Sequence, residues 1–170
     1  MTANDRLLAF DAAGSACSAA VWAEGVIRAR RFESMSRGQS QRLLPLIEEV
    51  LREAKLEFAD LNALAVTLGP GGFTGVRIGL ATARGLALAL GLPIIGITSF
   101  EAAAAAVATE ERANRNLLVV IDSKRRELFV QALAPDLVPL GTPTVAAPEA
   151  LATLLPPDPV TLAGDGVEAA

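Results

Sequence analysis

Residues 63–98, ALAVTLGPGGFTGVRIGLATARGLALALGLPIIGIT, leave few architectures open. A compact apolar run at 63–69 enters a glycine loop, a run of small residues and leucines reaches Leu90, and a second apolar run, LPIIGIT, follows. Strand, glycine bend, helix and strand is the order of a helical crossover in an α/β sheet. Thr74 stands where a helix cap is expected. Gly79, Ala81, Ala83, Gly85, Ala87 and Ala89 leave little side chain along this helix. Close backbone approach is thereby permitted, although glycine inside a helix costs about 1 kcal/mol relative to alanine. The pattern predicts a helix packed on all sides.

Upstream, LLAFD at 7–11 reads as a strand ending in Asp11, and SAAVWAEG and VIRARRF read as two more strands joined at Glu24-Gly25. From Gln41 to Ala54, Leu43, Leu44, Ile47, Val50, Leu51 and Ala54 recur at helical spacing, with Glu48, Glu49, Arg52 and Glu53 mostly opposite. Ser40 is the expected cap, and Pro45 is expected in the first turn, because proline in a helix interior costs about 3 kcal/mol. Downstream come a helix over 99–110, the strand pair NLLVVID and ELFVQAL, a short helix over 148–155, and a strand in PVTLAGDG. The expectation is two lobes, 1–98 and 99–170, the second truncated or reduced because no helix follows GDG.

Of the 170 residues 52% are hydrophobic and 20% charged, enough apolar material for a real core. The net charge of −4 gives no global field favouring a nucleic acid backbone or an anionic membrane. A single cysteine, Cys17, and no histidine rule out an internal disulfide and a cysteine–histidine zinc cluster. MTANDRLLAF lacks the basic start and longer apolar core of a signal peptide, and the apolar stretch 86–108 is interrupted by Gly91, Pro93, Gly96 and Glu101. A soluble, cytoplasmic protein is expected.

Three segments carry groups suited to chemistry. In DAAGSACSAAVW, Asp11 precedes a turn around Gly14 and Ser15; a carboxylate at a strand end can hold a metal-bound water while turn amides face phosphate, or the turn merely satisfies itself. The loop at 70–75 is no GxxxxGK[ST], because Val76 and Arg77 follow Gly75, and no GxGxxG. It still sets backbone amides before a helix N-terminus, with Gly71, Gly72, Thr74 and Arg77 as candidate anion contacts; the alternative is a plain bend. In IDSKRRELF, Asp122 ends a strand beside Lys124, Arg125 and Arg126, either facing an interlobe cleft with an RNA or partner contact, or forming a charged hairpin tip. The serines have no histidine partner and there is no GxSxG elbow, so no catalytic residue and no metal site is assigned.

DAAGSACSAAVW, RGQSQRLLPLIEEVL and PGGFTGVRIGLATARGLALALGLPIIGITSFEA together resemble the bacterial TsaB family, also called YeaZ, over residues 7 to about 130, most specifically in FTGVRIG. The resemblance implies an α/β fold of the actin, sugar kinase and Hsp70 (ASKHA) type, with two related lobes built on mixed sheets. It also implies a part in making threonylcarbamoyladenosine in tRNA, where a TsaD-type paralogue performs the transfer and a TsaE-type ATPase supports the cycle. ATP and Mg belong to the wider complex, no cofactor is assigned to this chain, and tRNA is contacted mainly through partners. Without histidine the chain cannot supply the metal-binding pair of the catalytic paralogue, which makes it a non-catalytic scaffold. The rival is an ATPase, kinase or glycoprotease-like hydrolase of the same fold.

In that family the first two helices of the N-terminal lobe bundle with the partner's. Leu43, Leu44, Ile47 and Leu51 are then the partner-binding residues of one helix, and Val76, Gly79, Ala83 and Leu86 those of the other. Alone, the same surface is open to a second copy. Ala12-Ala13, Gln39 and Gly72 depart from the family's pattern and weaken ligand contacts in the set Asp11, Gly14, Ser15, Gly71, Gly72, Thr74, Arg77 and Asp122. Asp122 and Glu127 match a second-lobe segment from which Ser123, Lys124, Leu128 and Phe129 depart.

Overall fold

The computed structural model describes residues 5–156 and 159–169. The chain forms two compact units, one of residues up to 68 with 73–97, the other of 69–72 with 98 onward.

The first unit begins with an antiparallel meander of β1 (Arg6–Asp11), β2 (Ala16–Ala23) and β3 (Val26–Ser34). Glu24 and Gly25 turn the β2–β3 hairpin with φ of 54° and 84°, the left-handed geometry that matches strand twist. Then follow α1 (Gln39–Ala54), β4 (Ala63–Thr67), α2 (Phe73–Leu90) and β5 (Ile94–Ile97), giving the strand order β3-β2-β1-β4-β5. β4 runs parallel to β1 and β5 parallel to β4, so each needs a helical crossover. The period-two alternation points Leu8, Phe10, Ala19, Val21, Leu64 and Val66 to one face, where α1 and α2 complete the core.

α1 differs from expectation at its start. Gly38, left-handed at φ 94°, holds the cap position with no side-chain hydrogen bond, and Ser40 lies inside the first turn. Pro45 is likewise interior rather than in the first turn. Tertiary contacts hold what capping does not. Leu43, Leu46, Ile47, Val50 and Leu51 are buried, and Arg42 grips two carboxylates at once. Its Nε donates to Glu33 of β3 at 2.7 Å, its Nη1 donates to Glu49 at 2.8 Å, and its Nη2 reaches both. Arg31 of β3 pairs with Glu53 one step further along.

α2 corrects two further expectations. Thr74 is in its first turn, not at the cap, because the helix already includes Phe73. Only Gly79 and Ala83 are buried, so within this chain the helix is packed on one side and not all round. By length and composition alone α2 could cross a bilayer, but it is the crossover between two parallel strands and exposes Arg77 and Arg84.

The second unit opens with α3 (Ser99–Ala106) and α4 (Thr109–Arg112), where one helix over 99–110 is expected. Val107 and Ala108, both in extended conformation, break it. β6 (Asn116–Asp122), β7 (Leu128–Leu133), β8 (Thr144–Ala146) and β9 (Val160–Ala163) form a sheet in the order β8-β7-β6-β9, with β9 parallel to β6. Five consecutive residues of β6, 117–121, are buried, because the sheet is covered on both faces. Phe100 and Ala104 of α3 pack on Leu117, Val119 and Ile121, while Leu151 packs with Leu118 and Val120. Residues 148–153 form a 3-10 turn, shorter than the helix expected there.

Arg42 holds Glu33 and Glu49 below the usual carboxylate range, chiefly through its hydrogen bonds to them. A carboxylate with a depressed folded pKa stabilises the fold above its unfolded pKa and loses that contribution as pH falls through the folded value. Arg42→Met should lower the melting temperature at pH 7, and the two proteins' melting curves should converge as pH drops from about 5 toward 3. Circular dichroism melts across that range check this.

Candidate functional site

Asp11 ends β1 between β2 and β4. Its Oδ1 accepts the Ala13 N–H at 2.9 Å, closing a turn two residues long, and also accepts the Thr67 hydroxyl from the end of β4. Ala12 and Ala13 are buried, whereas Gly14 is half-buried and Ser15 exposed. The turn is tied at its far end by the Met35 N–H, which donates to the Ser15 carbonyl at 2.9 Å. Asp11 therefore serves first to shape the turn.

The first turn of α2 lies directly against it. A Cβ at Gly75 would stand 2.0 Å from the Ala12 carbonyl oxygen, a distance no side chain tolerates. Glycine at 75 is thus required by close approach, and the β1–β2 turn and the N-terminus of α2 form one surface. Thr74 and Phe73 are exposed there, and the Arg77 guanidinium sits over the Phe73 ring at 3.7 Å. Gly71 and Gly72, both half-buried, belong to the second unit by their packing.

In the second unit Asp122 repeats the arrangement seen at Asp11. It ends β6, its Oδ1 accepts the N–H of Lys124 at 2.7 Å, and its Oδ2 pairs with Lys124 Nζ at 2.7 Å. Its own N–H donates to Asp165 at 3.0 Å. A Cβ at Gly164 would lie 2.1 Å from the Val120 carbonyl oxygen, so the loop after β9 is tucked against the end of β6. Among the described residues no group of three or more His, Cys, Asp or Glu side chains gathers as a metal would require. Cys17 is buried on the helix side of the sheet. Burial, with Asp11 and Glu33 adding to it, pushes its thiol above the ordinary value, which keeps it protonated.

The helices offer a second kind of surface. Leu43, Ile47, Leu51, Gly79 and Ala83 face their own sheet and are buried, which corrects the expectation that they contact a partner. Helical geometry puts them on the side that must fill the core. Val76 and Leu86 are half-buried, and Leu44 is 44% exposed. The outward stripe of α2 is Arg77, Ala81, Arg84 and Leu88, at spacings of four, three and four residues, with Gly85 beside it; all five are exposed. Leu88 is 89% exposed. Sequence reasoning passed over Thr67, Gly75 and Leu88; a glycine in the first turn of a helix was the signal for Gly75.

The chain resembles known proteins along most of its length. Residues 32–154 match the family model described as TsaD: tRNA N6-adenosine threonylcarbamoyltransferase. The Escherichia coli (strain K12) tRNA threonylcarbamoyladenosine biosynthesis protein TsaB is 41% identical over 124 residues, 73% of this chain and 53% of that protein. The chain thus spans about half the length of the curated relatives it matches. The structure of YeaZ from Pseudomonas aeruginosa superposes with a TM-score of 0.84 at 30% identity, covering 96% of this chain and 79% of that one. Component A of the Acidaminococcus fermentans (R)-2-hydroxyglutaryl-CoA dehydratase, at TM-score 0.53 and 15% identity over 85% of this chain and 48% of that one, shares the fold alone.

Gly75→Ala should destabilise the first unit by about 1–3 kcal/mol, because the backbone it meets cannot turn aside. Thr67→Val, which withdraws one donor from Asp11, should cost about 1–2 kcal/mol. Urea titrations of both variants measure these losses.

Proposed function

The chain belongs to the TsaB (YeaZ) family and has the family's ASKHA-type α/β fold, and from that membership we propose that it acts as a non-catalytic partner of a TsaD-type transferase in threonylcarbamoyladenosine modification of tRNA. The observation that carries this reading is the outward face of α2. An apolar helix with Leu88 almost fully solvated, and with Ala81 and Gly85 beside it, is built for close approach by another helix. Each square ångström of apolar surface covered there contributes about 25 cal/mol. Leu44 of α1 is likewise exposed.

The donor set of this chain supports the non-catalytic reading. It has no histidine, and Asp11 is engaged by Ala13 within its own turn and by Thr67 at the end of β4. Ala12 and Ala13 bring no hydroxyl to a phosphate. ATP and Mg would serve the wider complex, including a TsaE-type ATPase. The chain's net charge of −4 leaves tRNA binding mainly to the partners. The cytoplasm is the compartment where this work would be done, and a second copy would occupy the α1–α2 face when the transferase is absent.

The test is threonylcarbamoyladenosine formation on unmodified tRNA with the adenylate-forming enzyme, the TsaD-type and TsaE-type proteins, and this chain present or omitted. Product should depend on the chain. Leu88→Glu, which sets a charge into the proposed contact at a site exposed in the free protein, should weaken transferase binding at least about tenfold without lowering stability. Equal product without the chain, or unaltered binding by the variant, would remove the proposal.

A further inference from the structure

The two ends of the first sheet are finished differently. β3, at one end, carries Arg28, Arg30 and Arg31, all exposed, and cations along an outer strand discourage pairing with another chain. β5, at the other end, consists of Ile94, Ile95, Gly96 and Ile97, and no charged residue stands between Arg84 and Glu101. Ile94 is 40% and Ile95 44% exposed, and Gly96 is exposed as well. Leu64 donates its N–H to the Pro93 carbonyl at 3.0 Å, and Leu68 donates to the Ile97 carbonyl at 2.8 Å. With Leu64 opposite Ile94 and Val66 opposite Gly96, that parallel ladder turns the peptide groups of Ile95 and Ile97 toward β4. The N–H and C=O groups of Ile94 and Gly96 therefore point outward from the edge.

We propose that this edge pairs with the β5 edge of a second copy, antiparallel about a two-fold axis at Ile95, so that the two sheets join edge to edge. The outward peptide groups are self-complementary in that arrangement. Ile94 of each copy exchanges two hydrogen bonds with Gly96 of the other, and Ile95 faces its own counterpart across the axis. The side chains agree with the backbone. Ile94 and Gly96 lie on the helix side of the sheet with Leu64 and Val66, and Ile95 lies on the opposite side. A Cβ at Gly96 would stand 2.7 Å from Leu68 Cδ1, so the Leu68 side chain, 50% exposed, covers that position. Ile94 of one copy then lands on Leu68 of the other. On the opposite side two Ile95 side chains meet as a β-branched cross-strand pair. Each copy thus supplies what the other lacks, and no like charges are brought together. Four paired residues cover less than the roughly 1,600 Å² of a standard interface, so the association is reversible. It uses no residue of α1 or α2.

Disulfide trapping tests the register, in the full chain and on a Leu88→Glu background so that association through α2 does not contribute. Ile95→Cys, on the axis, should link two copies through the introduced thiols at least about tenfold faster than Ile94→Cys under the same added oxidant. Ile94 and Ile95 are almost equally exposed, so chance collision would give equal rates. Cys17 is buried and should give no link by itself. Equal rates, or no linkage at position 95, overturn the proposal. Sedimentation equilibrium on the same background reads the affinity. Ile95→Lys, which sets two ammonium groups against each other at the axis, should weaken self-association at least about tenfold, whereas Arg30→Glu on β3 should leave it unchanged. Self-association indifferent to Ile95→Lys also overturns it. Transferase binding enters neither measurement, so the functional reading can fail while this one stands.

Discussion

The clearance at Gly75 governs how the first unit can be assembled. With a Cβ there, the Ala12 carbonyl oxygen would be 2.0 Å away; without one, the first turn of α2 can rest on the β1–β2 turn. Further along, a Cβ at Gly79 would meet a Val66 methyl at the ordinary distance of 3.4 Å, and Ala83 is fully buried. Small residues on one side of α2 therefore bring its axis close to the sheet. That low seat spends the narrow side of the helix on the core and leaves the opposite side, with Leu88, in solvent.

The two units solve one topological problem twice. In each, a three-strand meander is followed by a strand parallel to its first member, in the orders β3-β2-β1-β4 and β8-β7-β6-β9. The first strand ends in aspartate both times, and both carboxylates accept the N–H two residues on, Ala13 and Lys124. After the parallel strand the chain passes through a glycine of positive φ, 92° at Gly69 and 105° at Gly164. Differences lie in the partners: Asp11 takes a hydroxyl from Thr67, whereas Asp122 donates its N–H to Asp165. A carboxylate at such a turn has a structural duty wherever it is found, and ligand binding would have to compete with that duty.

Elements with strong local signals were legible in the sequence. The crossover at 63–97, the meander and the strands at 116–133 are all present, because alternation and glycine bends act over a few residues. What the sequence hid depends on tertiary contact. Nothing local distinguishes Ser40 as a cap from Ser40 inside a turn, and Pro45 is tolerated because Leu46, Ile47 and the Arg42 pairs hold its helix down. The inward side of α1 was misread for the same reason: Leu43, Ile47 and Leu51 could serve a partner or the core by periodicity, and only the sheet beneath them shows which. Asp11 and Asp122 were recognised as strand-end carboxylates, but their turn hydrogen bonds and the tight fits at Gly75 and Gly164 need coordinates.

Exposed cations, Arg52, Lys55, Arg77 and Arg84, gather on α1, α2 and the turn beyond α1 in a protein whose net charge is −4. The clamp at Arg42 sorts the carboxylates of α1. By engaging Glu33 and Glu49, with Arg31 engaging Glu53, it draws the carboxylates of α1 toward the β3 side. The side of α1 away from β3 is then left with Glu48 against Arg52 and Lys55. The ion pairs that hold the first helix on its sheet therefore also set the sign of the surface that the helix pair presents.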